Sequence, residues 1–299
     1  MYPDSDPRSR LKVPSENDGK KVLSAPAPAT YARFYETDPD ERSDSVRTWY
    51  AGAANFVVAY SEMDAGAVFD RTEQPDEFVI ILPDPDTRLS IEWNGTTTEG
   101  AGHSVVIVPP GPSRITVYRG GRMVRLFTRR VSDIVARCKI GTADPNVPPL
   151  VSWPDPVGGH KVRWYSMDVP QEEGRFGRLI RSSDFMVNYI YPRNGPRDRS
   201  QLSPHSHADF QQCSLCLEGT YVHHLRWPWT KNANEWRSDD HETCGAPSVT
   251  IIPAGVLHTS EAVGTGTNLL IDIFCPPRAD FSRQPGWVLN ADEYPEPQA

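Results

Sequence analysis

Long apolar runs, basic clusters and a cysteine framework are all missing from this 299-residue chain. No stretch approaches the ~18 consecutive apolar residues of a membrane helix, and the opening MYPDSDPRSRLKVPSENDGKK lacks the apolar centre of a secretory signal. A cytoplasmic protein with no membrane partner is therefore expected. Basic residues never gather into a long patch and the formal net charge is −8, which argues against nucleic acid and in favour of a small molecule as partner. The five cysteines, an odd number running from Cys138 to Cys275, do not suit a disulfide scaffold. Cys213 and Cys216 form a CxxC, but no second pair follows and the segment reads as a strand, so a cysteine zinc site is not expected. Helical periodicity is scarce as well; the one candidate is SDIVARC at 132–138.

What the chain has in abundance is punctuation. Its 29 prolines and 21 glycines divide it into short apolar runs such as FVIIL, VVIVP, FMVNYIY, VTIIP and LLIDIF. Rich in Val, Ile and aromatics, these read as strands, and the protein reads as all-β. A repeat sets the architecture: SVVIVPPGPSR at 104–114 aligns without a gap on SVTIIPAGVLH at 248–258, so both halves carry the same β unit. The expected division is an extended arm at 1–32, a first domain at 33–142, a Pro-rich linker at 143–160 and a second domain at 161–299.

The second half concentrates the chemistry. PHSHADFQQCSLCLEGTYVHHL, residues 204–225, holds His205, His207, His223 and His224. On a strand, His205 and His207 emerge from one face, as two ligands of one metal would; two surface histidines is the alternative. His258 follows the turn PAG at the end of an apolar strand, and a third neutral imidazole would complete an open metal site.

These residues resemble the two motifs of the cupin superfamily, approximately G(x)5HxH(x)3-4E(x)6G and G(x)5PxG(x)2H. The chain offers His205, Ser206, His207, then Gln212 and Gly219, and later Pro253, Ala254, Gly255 and His258. Pro247 replaces the leading glycine of the second motif, and the first motif lacks both its leading glycine and its acidic residue. The resemblance implies two tandem jelly-roll β-barrels, a bicupin, with His205, His207 and His258 as ligands of one divalent metal. Gln212 matches the glutamate position, and Gln211 would serve the shorter spacing; either direct coordination or a hydrogen bond to metal-bound water is open to the glutamine. Three-histidine Fe(II) cupin dioxygenases, which cleave salicylate-type or gentisate-type rings and β-diketones, have a similar neutral shell. In the first half Arg71 and Glu73 stand at the histidine positions and Arg114 at that of His258, so no metal is expected there. Glu73 or Glu77 could pair with Arg114 inside that barrel, or these could be surface groups.

Around the metal, Ser214 and Cys216 share the parity of Gln212 and are small enough to leave room for substrate. On the next strand Tyr221 and His223 lie on one face and His224 and Arg226 on the other, and either face could point inward. Tyr221 and His223 are candidate proton carriers, and Arg226 is a candidate partner for a substrate carboxylate. Trp229, in a Trp-rich loop, is a candidate substrate wall, and Asp272 a candidate acceptor orienting a ligand histidine. The expected function is Fe(II)- and O2-dependent cleavage of a C–C bond in a small chelating anion, with Mn, Ni, Zn or Cu as other possible metals. The alternatives are a non-redox isomerase, lyase or hydrolase, and a binding cupin without turnover. Monomer and homodimer both fit.

Overall fold

The computed structural model describes residues 6–10, 25–141 and 143–298; residues 1–5 and 11–24 of the expected arm lie outside the described residues. Two β units follow one another. In the first, a seven-stranded sheet runs Arg163–Ser166, Ser104–Val108, Phe78–Leu82, Gly121–Thr128, Phe56–Met63, Val46–Gly52, Glu41–Arg42. It faces a four-stranded sheet of Val68–Arg71, Ser113–Arg119, Arg88–Trp93 and Thr96–Ala101. In the second, the path is Thr30–Arg33, Ser248–Ile252, Gln212–Glu218, Thr267–Phe274, Met186–Ile190, Gly177–Arg181, with Arg193–Asn194 paired beside Thr267–Phe274. Its smaller partner is Asp240–Gly245, Thr220–Arg226 and Leu257–Ala262. All strand pairs are antiparallel, as jelly-roll barrels require, and the expected helix forms as Ser132–Arg137.

The unbroken apolar runs are explained by where their two faces go. In Phe78–Leu82, Phe78, Ile80 and Leu82 enter the core of the first barrel, while Val79 and Ile81 enter a seam between the barrels. The second large sheet meets them there with Cys213, Leu215, Leu217, Val249, Ile251, Ile271 and Ile273. A strand buried on both faces loses polar alternation, hence FVIIL and VVIV. The inward faces differ between the barrels. The first presents Ile80, Val106, Ile91 and Ile115; the second presents Gln212, Ser214, Thr250, His223 and Asp272, all buried. A polar interior is what a ligand site needs and a structural core avoids.

Strand exchange closes the seam. Thr30–Arg33 pairs with Ser248–Ile252 of the second barrel, and Arg163–Ser166 pairs with Ser104–Val108 of the first. Sheet membership therefore crosses the expected boundaries at both 33 and 161. The segment 143–160 forms no strand but is pinned, with Trp153 N–H donating to Ser183 O (2.7 Å) and Val157 N–H to Glu293 O (2.8 Å).

The expected pairing of Arg114 with Glu73 or Glu77 does not occur. Arg114 lies on the outer face, half exposed, and pairs with Asp70 (3.1 Å). The gapless repeat breaks down by one residue here: Ser113 is buried and Arg114 exposed, whereas Leu257 is exposed and His258 buried, and a one-residue slip flips a strand's faces. Arg71 instead forms a two-pronged pair with Asp133 of the helix (2.6 and 2.9 Å), and the buried Glu77 accepts from Tyr294 Oη (2.9 Å).

Beside the seam, Asp184 accepts from Ser152 Oγ (2.5 Å) and is pushed up to about 6, mainly by burial and further by the nearby Asp76 and Glu77 carboxylates. Its folded carboxyl holds a proton more tightly than an unfolded one near 3.8, so its contribution to stability is full below that value and is lost as pH rises towards 6. Relative to Asp184→Asn, the wild type should lose about 2 kcal/mol of unfolding free energy between pH 4 and 7, measured by urea titration; a constant difference would refute this.

Candidate metal centre

The histidines reach one another through the backbone. His205 N–H donates to His258 O (3.0 Å) and His258 N–H to His205 O (2.8 Å), an isolated antiparallel bridge. Gly255, left-handed at φ +79° in the PAG turn, donates its N–H to His207 O (2.6 Å). These contacts set the two motifs in register. One ring nitrogen each from His205, His207 and His258 lies within 4.8 Å of the others, as a shared metal ion would require.

The tautomers follow from the partners. Nδ1 of His258 lies 2.9 Å from Val256 O and Nδ1 of His205 lies 2.9 Å from Ser203 O; a carbonyl only accepts, so both Nδ1 atoms carry the proton. The Nε2 lone pairs are left unprotonated, as a metal ligand needs. Burial pushes all three imidazoles down, His258 to about 4, with the charge of Arg278 acting in the same direction on each. They are neutral at physiological pH.

Gln212 faces this cluster. Its Oε1 lies 3.0 Å from His207 Nε2 and 3.3 Å from His258 Nε2, while its Nε2 donates to Ser214 Oγ (3.2 Å) and Asp272 Oδ1 (3.1 Å). Ser214 Oγ also donates to Asp272 (3.0 Å), so the carboxylate fixes which end of the amide points where. The oxygen of Gln212 and the Nε2 of His258 are then two acceptors aimed at each other, an arrangement that a cation between them would stabilise. Gln211, the alternative, points away, with its Oε1 accepting from Ala54 N (2.6 Å) of the first barrel.

The same geometry explains the glutamine. A glutamate there would set a second carboxylate about 3 Å from Asp272, which two ionised groups do not tolerate. The negative charge expected at the motif's acidic position stands one step further out, on Asp272, pushed up to about 6 chiefly by burial. Asp272 thus anchors the amide of Gln212 rather than orienting a histidine, the role expected for it from sequence.

A cavity of about 890 Å³ opens onto His205, Gln212, His258, Asp272 and Tyr221. The strand Thr220–Arg226 turns Tyr221 and His223 inward, but only Tyr221 lines the cavity. His223 is fully buried with Nδ1 on Ser260 Oγ (2.9 Å), and burial pushes it down to about 3, which does not suit the expected proton carrier. Ser214 lies beneath Gln212, and Cys216 packs with Tyr221, Ala262 and Leu270, so neither opens onto the cavity. Arg226 is corrected too: strand alternation puts it outside, exposed, on Asp239 (2.9 Å). Trp229 is 77 % exposed, stacks on Trp236 with centroids 4.4 Å apart, and lines a separate groove with Arg226.

Several neighbours carry no motif. Phe210 stacks on His207 at 4.5 Å, Arg278 covers Phe281, Phe274 and Phe210, and Arg8 and Arg197 line the cavity. Arg197 donates to Ser203 Oγ (3.0 Å), and Ser203 O holds His205. Phe210 could have been found from its place between His207 and Gln212, and Arg197 from its place shortly before His205; Arg8 and Arg278 lie farther away in sequence.

Two jelly-roll barrels, packed through their large sheets with a histidine cluster in the second, define a bicupin fold. Solved structures share it: the oxalate decarboxylase of Lactobacillus farciminis in a formate complex (TM-score 0.58, 11% identity, 86% of this chain and 89% of that one) and AerE from Microcystis aeruginosa (0.57, 9%, 83% and 99%). A point mutant of the Bacillus subtilis oxalate decarboxylase is similar as well (0.58, 11%, 86% and 80%). No protein-family model and no curated protein matches the chain.

Gln212→Glu should lower the melting temperature by several degrees by confronting Asp272, and adding Asp272→Asn should recover most of the loss, read by calorimetry. Equal melting temperatures for Gln212→Glu and wild type would show that the amide is not required beside Asp272.

Proposed function

We propose that the chain is a mononuclear metalloenzyme that cleaves a C–C bond in a small chelating anion, with His205, His207, His258 and the amide oxygen of Gln212 holding one divalent ion. The observation that carries this reading is the amide of Gln212, locked by Asp272 and Ser214 with its oxygen towards the unprotonated Nε2 of His258 and the Nε2 of His207. When bound, a divalent ion would supply Lewis acidity to the chelated substrate and, if it is Fe(II), redox chemistry with O2. Four neutral donors leave the ion's two charges uncompensated except by Asp272, which favours an anionic substrate. Arg197, lining the cavity, adds attraction for that anion, whereas Arg8 beside it is matched by Asp6 (2.6 Å). Tyr221 stays protonated because burial raises it, so it would act as a hydrogen-bond donor to bound substrate. Phe210, Phe274 and Phe281 keep water from the inner side of the histidines.

Oxidative cleavage by Fe(II) and O2 is the reading we favour, because a neutral donor set suits a dianionic chelate. Non-oxidative cleavage, with Mn or Zn, is supported by the oxalate decarboxylases that share the fold, one of them described for its Mn(II) centers. Elemental analysis of anaerobically purified protein, with O2 uptake and CO2 release measured against hydroxybenzoates, catechols, β-diketones and dicarboxylates, separates the two. Near one iron per chain with substrate-dependent O2 uptake supports the first; CO2 release without O2 supports the second; an absence of metal leaves a binding protein. His258→Ala should lose the metal and at least ~100-fold in activity, whereas Arg114→Ala, altering an exposed pair, should keep full metal content.

A further inference from the structure

The first barrel has its own unmatched charge. Arg125 lies on the inward face of Gly121–Thr128, 6 % exposed, at the inner end of a cavity of about 590 Å³. Of the three other guanidiniums in that cavity, Arg71 is matched by Asp133 (2.6 Å) and Arg137 by Glu41 (3.0 Å), while Arg42 is exposed to solvent. Arg125 has no ion-pair partner among the described residues; its NH2 makes one long contact to Ser61 Oγ (3.4 Å), and its buried Nε has no partner. The guanidinium lies over the Phe69 ring at 4.4 Å. Two other buried arginines are satisfied differently, Arg178 and Arg163 each giving several N–H groups to backbone carbonyls; Arg181, whose Nε and Nη1 are also unpartnered, gives Nη2 to Tyr294 O and lines none of these cavities. Burial pushes Arg125 down to about 10, which still leaves it charged at neutral pH. A buried, charged fork without an acceptor is costly unless something else supplies one.

We propose that the first barrel binds a small organic carboxylate, which accepts from Arg125 beside the Ser61 and Thr48 hydroxyls and lays its apolar body against Phe69 and Tyr50. Glu41, Asp70, Glu73 and Asp133 balance the four arginines of the lining overall, so the attraction is local to the buried Arg125 fork, which suits one carboxylate rather than a polyanion. Thr48 lines the cavity with its hydroxyl 2.8 Å from that of the buried Ser61, and Phe69, Tyr50, Val46 and Ile134 line the apolar remainder. This site is separate from the histidine cluster and does not depend on the function proposed for it.

Calorimetric titration and thermal shift of the full-length, metal-loaded protein with benzoate and acetate test the proposal, using Arg125→Gln, Arg125→Lys and His258→Ala. Benzoate should stabilise the wild type and His258→Ala alike, and Arg125→Gln should weaken its binding by at least ~30-fold while keeping metal content. Without ligand, Arg125→Gln should melt no lower than wild type, because it removes an uncompensated buried charge. Should Arg125→Gln fail to fold, Arg125→Lys, which keeps the charge and loses the fork, should bind ~10-fold more weakly. Absence of binding to the wild type, binding lost in His258→Ala but kept in Arg125→Gln, or unchanged affinity in Arg125→Lys would each overturn it.

Discussion

Everything in this molecule depends on the apolar seam between the two large sheets. Because one face of each central strand is committed to the seam, the other must supply the interior of its own barrel. In the first barrel that inward face stays largely apolar and packs the interior, except at the end where Arg125 meets a cavity. In the second it turns polar along Gln212–Glu218 and Thr267–Phe274, and the interior stays open enough for a site. The histidine cluster is thus mounted on strands whose backs are held by dense packing, which is how a site keeps its geometry before a ligand arrives.

Within that frame, one carboxylate arranges the candidate centre. Asp272 stands on the strand beside Gln212, paired in register with Ser214, and both side chains donate to it. The amide converts a negative charge behind it into an oriented neutral oxygen in front. The donor set is therefore less anionic than a glutamate would make it, and the difference is passed on to whatever binds.

Much of this was legible in the sequence, for identifiable reasons. His205, His207 and His258 declared themselves because strand parity and the PAG turn are local rules, and the repeated SVxI segment gave the two-barrel architecture. Gln212 could be preferred over Gln211 by spacing, but its partner Asp272 is sixty residues away, and only the pairing of the two strands brings them together. The inward face of Tyr221 and His223 was undecidable, since both faces of TYVHHLRW carry polar and aromatic groups. Arg114 misled because a gapless alignment conceals a one-residue change of face. Arg8, Arg197, Arg278 and Arg125 carry no local pattern; an arginine's role is set by what surrounds it.

The reciprocal strand exchange has a consequence for how the chain must assemble. Thr30–Arg33 is made before its hydrogen-bonding partner Ser248–Ile252, and the strands of the first barrel lie between them in sequence. The earlier strand must wait, unpaired, until the later one is made, and only then does that edge of the second sheet close. Such sequence-distant pairing makes for slow folding, and it ties completion of the barrel holding the histidines to a strand that precedes the first barrel.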